Sequence, residues 1–378
     1  MAEPPLTEHT VTHVSGARTF YLASGPSSGK LMIFCHGWPE LSHSWRHQLV
    51  FFGLCGFRCI APDMRGYGRS TVPTDPRGCS NERCVEDMTS LLAHLGGSAD
   101  NKAVFVGHDW GAPIVWQLAS HYPELCHAVI NLSVGYRGAP LTEEKAVAAA
   151  PKYGRYTEKL WQFRAGGGNA DAAGPVDYQV AYIEHFDEMV RDLEANIPQT
   201  VKAIFRRSGP ELLAAGDGRF TEFISTYDNR ARIAAGENAF LVNVPKSSAA
   251  AGGEDLERDD MITEADMHKY IEAMQRTGLR AGCSWYLNHD VNAIYTAQSK
   301  NGGVLEMPVL YISSSYDAVC KPERYAGMGD FCTNLTKAEP LPCGHWIQQE
   351  MPRETNGLIA QFLAMQCAEI WPAQMAKQ

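Results

Sequence analysis

The run Val104-Phe105-Val106-Gly107-His108-Asp109-Trp110-Gly111 constrains this chain more than any other stretch. An apolar strand, a turn flanked by glycines and a following helical pattern form the frame of a nucleophile elbow, which lifts one side chain to the top of a sheet. That frame normally carries serine, in the pattern Gly-x-Ser-x-Gly. Asp109 stands there instead, and the difference decides the chemistry. A serine attacks acyl carbons. A carboxylate is a weaker nucleophile that forms an ester with an alkyl carbon when the leaving group is strained or activated. Gly107 and Gly111 suit close backbone approach and strained dihedrals. The plainer alternative is an aspartate that caps a helix after a strand, so the rest of the chain must decide.

Composition narrows the field. With 378 residues the chain can bury most of its surface in one large domain or two. A hydrophobic fraction of 45% and a charged fraction of 20% are ordinary for a soluble globular protein. A net charge of −10 argues against a nucleic-acid partner, which wants a basic face. No stretch approaches the roughly 18 uninterrupted apolar residues of a membrane span. Met1 through Pro5 carries neither the basic nor the apolar region of a signal peptide. The eleven cysteines form no C-x-x-C pair, and Cys35, Cys59 and Cys126 lie within apolar runs. Reduced core thiols in a cytoplasmic protein are the expectation. His43 and His47 have i,i+4 spacing without a following glutamate or a third ligand, so no metal is expected there.

Strand-like and helix-like segments alternate at first. Strands are expected at Thr19–Ala23, Leu31–Cys35, Phe57–Pro62, Ala103–Gly107 and Ala128–Val134, and helices at Trp45–Leu54, Val85–Leu95 and Ala112–His121. Such alternation implies a mostly parallel sheet with helices on both faces. From about Gly138 to about Ala297 the text turns helical and aromatic, interrupted by Gly166-Gly167-Gly168 and by Ser247 through Gly253. No strand feeds these loops and no Gly-Lys-Ser/Thr follows, so they are surface loops rather than phosphate cradles. Strands resume at Val309–Ser313 and Leu335–Leu341, and Glu354–Ala364 is the last helix. The simplest organisation is one α/β core, 1–137 and 298–378, split by a helical cap at 138–297.

A carboxylate nucleophile needs a base to activate the water that cleaves its ester, and an acid to orient that base. In elbow proteins these partners follow in the order acid, then histidine. Asp317 closes the segment after the strand Val309–Ser313, and His345 lies in the loop Pro342-Cys343-Gly344-His345-Trp346 beyond the next strand. Catalytic groups gather outside the carboxyl ends of parallel strands, where Asp109, Asp317 and His345 all fall. Two backbone N–H groups should form the oxyanion hole, one from Trp110 after the nucleophile and one from Trp38 in the loop after Leu31–Cys35. The Trp38–Pro39 peptide is expected to be cis. His36 reads as a structural histidine, and Gly66-Tyr67-Gly68-Arg69-Ser70 as a tight packed turn.

Together, His36-Gly37-Trp38-Pro39-Glu40, Gly66-Tyr67-Gly68-Arg69-Ser70, Gly107-His108-Asp109-Trp110-Gly111 and Gly344-His345-Trp346 resemble the soluble epoxide hydrolases of the α/β-hydrolase fold. The resemblance covers nearly the whole chain. It implies conversion of an epoxide to a vicinal diol through an alkyl ester on Asp109, hydrolysed by water that His345 and Asp317 activate. It implies no cofactor and no metal, with a small apolar epoxide and water as partners; a homodimer stays open. The family's two ring-opening tyrosines have counterparts here: Pro175-Val176-Asp177-Tyr178-Gln179 resembles the first site, and Gly282-Cys283-Ser284-Trp285-Tyr286-Leu287-Asn288 the second. Leu287 stands where the family usually has arginine, and the stretch between Tyr178 and Tyr286 is longer than the family norm. Opening the ring leaves an alkoxide, a very poor leaving group when unassisted. Phenols, with a pKa near 10, stay protonated at neutral pH and donate as that charge develops.

Two other readings share these residues. A haloalkane dehalogenase has the same fold, aspartate and following tryptophan, and would bind halide through the indoles of Trp110 and Trp38, with no use for Tyr178 and Tyr286. A non-catalytic ligand-binding member of the fold would leave the filled catalytic positions without purpose. The aromatics Tyr153, Trp161, Phe163 and Phe186 suggest an apolar pocket.

Overall fold

The computed structural model describes residues 6–138, 179, 182–183, 186–207, 209, 261–317 and 320–372. Eight strands form one sheet: β1 (Thr7–Thr12), β2 (Arg18–Ser24), β3 (Leu31–Cys35), β4 (Arg58–Pro62), β5 (Ala103–His108), β6 (Cys126–Leu132), β7 (Val309–Ile312) and β8 (Leu335–Lys337). Their spatial order is β1-β2-β4-β3-β5-β6-β7-β8. The pairs β1/β2 and β2/β4 are antiparallel, and every pairing from β4 to β8 is parallel.

The central strands are apolar throughout because both faces of the sheet are covered. In β3, Leu31, Ile33 and Cys35 enter one hydrophobic cluster while Met32 and Phe34 enter the other, the period-two alternation of a strand. Ile33 and Phe34 are fully buried, and such a side chain stabilises the fold by about 1.5–3 kcal/mol. Helix α1 (Arg46–Leu54) covers the Met32/Phe34 face with Leu49 and Phe52. Helices α2 (Asn81–His94) and α3 (Gly111–His121) cover the opposite face with Val85, Met88, Leu91 and Ile114.

Between β6 and β7 the described elements are all helical: α4 (Phe186–Glu194), α5 (Ile197–Ile204), α6 (Glu264–Thr277) and α7 (His289–Ala297). Met189, Leu193, Val201, Tyr270 and Met274 from this segment join the cluster on the α2/α3 face. Thr263 and Asp266 form a capping box at the start of α6. Asp266 also ties α6 to the first helices, with His43 Nε2 at 2.5 Å and Arg46 Nη2 at 3.3 Å. The last long helix, α8 (Pro352–Gln366), adds Ile359, Phe362 and Leu363 beside α1.

Several elements differ from the sequence expectation; α2 begins at Asn81, four residues before the expected Val85, and α8 spans two residues more at each end than Glu354–Ala364. β1 is an additional edge strand whose only buried side chain is Val11, so it carries almost no apolar alternation. β8 stops at Lys337 rather than Leu341; Pro340 cannot donate to a ladder, and the chain returns only for an isolated bridge between Ser314 and Leu341. β6 stops at Leu132, because Ser133 takes a φ of 65°. The glycine-rich stretches at 166–168 and 247–253 lie outside the described residues. All eleven cysteines are free and buried. No helix among the described residues is long and apolar enough to cross a membrane.

Candidate active site

β5 ends at His108 and α3 begins at Gly111, so Asp109 and Trp110 make the whole turn between them. Asp109 has a φ of 48°, a left-handed conformation that costs a non-glycine residue on the order of 1–3 kcal/mol. Close packing on both sides holds it there. A Cβ at Gly111 would lie 2.2 Å from the Cys35 carbonyl oxygen, and one at Gly107 would lie 2.3 Å from Asn131 Oδ1. The elbow read from the sequence is therefore present, with a strained aspartate at its tip.

The loop after β3 reaches the same carboxylate. The backbone N–H of Trp38 donates to Asp109 Oδ1 at 2.7 Å. A Cβ at Gly37 would lie 2.4 Å from that same oxygen, so only glycine allows this approach. The Trp38–Pro39 peptide is cis, as expected. His36 is structural: its Nδ1 donates to the Gly37 carbonyl at 2.8 Å and its Nε2 accepts from the Met64 N–H at 2.9 Å. Burial lowers its pKa, in keeping with the neutral ring that this pairing requires.

Glu40 locks the loop from beneath. Its Oε2 accepts from the Gly37 N–H at 3.0 Å and pairs with His108 Nδ1 at 2.7 Å, while its Oε1 accepts from Gln348 at 2.8 Å. Glu40 and His108 are both fully buried. Burial works against the carboxylate's charge, but His108, His36 and the Gly37 N–H outweigh it and hold the Glu40 pKa down. The other nitrogen of His108 lies 2.8 Å from the carbonyl oxygen of His345. One buried network thus joins the loop after β3, the elbow strand and the histidine loop. The sequence offered Glu40 only as a motif letter, and nothing in its local pattern marks this role.

His345 and Asp317 meet as the sequence order implied. His345 Nδ1 lies 2.8 Å from Asp317 Oδ2, and its Nε2 lies 3.5 Å from Asp109 Oδ2. The Cys320 N–H fixes Asp317 by donating to its Oδ1 at 2.8 Å. Burial disfavours a charged imidazole, but the carboxylates of Asp317 and Asp109 together prevail and raise the His345 pKa well above the ordinary histidine value. The three groups therefore form a line, from Asp317 through His345 to Asp109.

Aromatic side chains roof this line. Trp110, directly after Asp109, packs edge-on against Tyr286 at 5.0 Å between ring centroids, and Trp38 meets Tyr286 at 6.0 Å. Asn288 anchors the Tyr286 segment by donating to the carbonyls of Ser284 and Pro76. Tyr178 lies outside the described residues. Tyr182, four residues further along the sequence, is fully buried and stacks on Tyr286 with centroids 4.5 Å apart and planes at 6°. Tyr182 also packs edge-on against Trp38 at 5.9 Å. The sequence reading passed over Tyr182; the signal was the helical spacing of four residues from Tyr178. Of the suggested pocket aromatics, Tyr153, Trp161 and Phe163 lie outside the described residues. Phe186 sits at the start of α4 beneath the Arg280 guanidinium.

A family model described as the alpha/beta hydrolase fold matches residues 30–352. The chain belongs to the α/β-hydrolase fold family. Within that family its relatives carry the name that the motifs suggested. Bifunctional epoxide hydrolase 2 of Sus scrofa is 28% identical over 350 residues, 92% of this hydrolase-fold chain and 53% of that protein. The chain thus spans about half the length of that relative. Epoxide hydrolase B of Mycobacterium tuberculosis is 28% identical over 366 residues, covering 94% of this chain and 98% of that one. The crystal structure of epoxide hydrolase A from Mycobacterium thermoresistibile superposes with a TM-score of 0.72 at 26% identity, over 95% of this chain and 98% of that chain.

Proposed function

We propose that this chain hydrolyses small apolar epoxides to vicinal diols through an alkyl ester on Asp109. The observation that carries the reading is the Asp109 carboxylate itself. Trp38 N–H holds one of its oxygens at 2.7 Å, His345 stands 3.5 Å from the other, and Tyr286 packs on the tryptophan that follows it. In this reading Oδ2 attacks an epoxide carbon and the ring C–O bond breaks. The alkoxide takes a proton from a phenol, Tyr286 or its partner. Tyr182 is the partner whose place beside Tyr286 supports it, and Tyr178 is the partner that the motif suggested.

In the second step His345 removes a proton from water, and the hydroxide attacks Cγ of Asp109. Negative charge then collects on Oδ1, where the N–H groups of Trp38 and Trp110 stabilise it. Collapse breaks the ester C–O bond, the departing oxygen takes the proton held by His345, and the new Asp109 carboxyl gives its proton back to the phenolate, so the diol leaves and carboxylate, imidazole and phenol are all regenerated. The raised pKa of His345 fits this order. Esterification removes the charge of Asp109, one of the two carboxylates that raise it, so the imidazole gives up its proton more readily once the ester has formed. The division of labour we propose places nucleophile, base and acid on the core segments 1–137 and 298–378, and the phenols on the cap, 138–297.

A screen of styrene oxide, a stilbene oxide and a fatty-acid epoxide, with 1-chlorobutane as counter-substrate, tests the activity. Diol from at least one epoxide and no chloride release is the expected result; chloride release without diol would replace this reading with dehalogenation. Single turnover in oxygen-18 water should label the Asp109 carboxylate, and label in the diol alone would refute the ester.

A further inference from the structure

One buried thiol stands in this site without a part in the reaction. Cys320 follows Asp317 by three residues, and its sulfur is buried. A ligand atom of Cys320, one of Asp317 and one of His345 all lie within 4.8 Å of one another. We infer that these three side chains form an inhibitory binding site for a thiophilic divalent cation such as Zn²⁺. Sulfur, imidazole nitrogen and carboxylate oxygen are the donors that zinc takes, in tetrahedral geometry with a water as the fourth ligand. Bond lengths of about 2.0–2.3 Å place tetrahedral ligands about 3.3–3.8 Å apart. His345 Nδ1 and Asp317 Oδ2, now 2.8 Å apart in a hydrogen bond, would have to part by about 0.5 Å to reach that range. The remaining adjustment is on the order of 1 Å, within reach of a side-chain rotation.

Charge favours the occupant. Asp317 and Asp109 place two carboxylates around one imidazole, so a cation entering here meets net negative charge. Binding exchanges protons for metal and involves no oxidation: the thiol proton leaves Cys320 Sγ, and the proton shared by His345 and Asp317 leaves with it. The cation then holds the acid and the base together and His345 no longer accepts a proton from water. Metal at this site would stop the ester-hydrolysis step.

The test is titration of the full chain with Co²⁺, whose thiolate complexes have a sulfur-to-metal charge-transfer band. The expected result is that band at one equivalent, its displacement by Zn²⁺, and loss of epoxide turnover in Zn²⁺ that a chelator reverses. Losing even an outer-shell partner typically costs about 10–100-fold in metal affinity, so Cys320→Ala should erase the band and weaken Zn²⁺ binding by about 100-fold or more. Cys320→Ser preserves the size of the side chain and should also lose the band, whereas Cys343→Ser should keep it. Cobalt binding without a sulfur band, or a band that survives in both Cys320 variants, would overturn the inference. The inhibition arm rests on the proposed epoxide activity, but the spectral arm does not, so failure of one reading is distinguishable from failure of the other.

Discussion

The phenol pair offers the most demanding test of the proposed chemistry, because two candidate partners for Tyr286 lie four residues apart in the sequence. Replacing Tyr182, Tyr178 and Tyr286 singly with phenylalanine removes one hydroxyl and keeps the ring. The ring carries the packing: Tyr182 and Tyr286 stack at 4.5 Å and both meet Trp38 edge-on. Little stability should be lost, and the effect should fall on the chemical step. Loss of one preorganised donor typically costs about 10²–10³-fold, or about 2.7–4 kcal/mol. A second phenol remains in each single variant, so the ring-opening rate should drop to that extent or less. The double variant Tyr182→Phe with Tyr286→Phe leaves the alkoxide without a donor and should nearly abolish ring opening. The two losses should not add, since the phenols act as a unit.

The rate to follow is formation of the ester, not overall turnover, which depends on His345 as well. Rapid mixing with styrene oxide, read by tryptophan fluorescence from Trp38 and Trp110 and by intact-protein mass after quenching, isolates it. If Tyr178→Phe slows this step and Tyr182→Phe does not, Tyr182 serves packing alone and the donor is Tyr178. If Tyr286→Phe forms the ester at the parent rate, the two-phenol mechanism is wrong.

The other predictions address the core. His345→Gln should still form the ester but stall its hydrolysis, so the mass of the protein rises by that of the epoxide; normal turnover in this variant would remove His345 as the base. Because the native pKa of His345 is raised, its protonated form contributes stability that is complete below the unfolded value of about 6.5 and is lost as pH rises through the native pKa. The stability difference between parent and His345→Gln, read by denaturant unfolding from about pH 6.5 upward, should therefore shrink with pH, and a difference that grows would contradict the charge assignment. Gly37→Ala places a Cβ 2.4 Å from Asp109 Oδ1 and should cost about 10²-fold or more in ester hydrolysis by moving the Trp38 N–H away from the developing oxyanion; unchanged hydrolysis of the ester would show that this N–H is dispensable.

The parts of this site legible in the sequence are those set by local geometry at the end of a parallel strand. An apolar run followed by a glycine-flanked turn defines the elbow, and the loops carrying Trp38, Asp317 and His345 repeat the arrangement after other strands. Each needs only a few neighbouring residues to specify it. Tyr178 and Tyr182 show the limit. Residues four apart on a helix lie on one face, one turn above the other, so pattern alone cannot say which of the two reaches Tyr286. Flanking letters pointed to the first, and packing against Trp38 and Tyr286 marks the second. β1 was illegible for the opposite reason: an exposed edge strand is held by its backbone ladder to β2, and its side chains carry no record of it.

Glu40 is the least legible residue and the one that explains why the separate loops act as a site. Its two oxygens hold Gly37 in the loop after β3, His108 at the foot of the elbow and Gln348 just beyond His345. Of these, Gln348 lies 308 positions from Glu40 in the sequence. A buried carboxylate persists only when its charge is paired and its lone pairs are satisfied, so no member of the network can shift without exposing another. That mutual constraint keeps the Trp38 N–H at one oxygen of Asp109 while His345 faces the other. The strained φ of Asp109 is sustained in the same way, by neighbours that leave the turn no room to relax. Preorganisation of this kind favours charge that appears only during reaction. In the proposed reaction, the Glu40 network therefore acts on the ester-hydrolysis step, by holding the Trp38 N–H where the oxyanion on Asp109 would form.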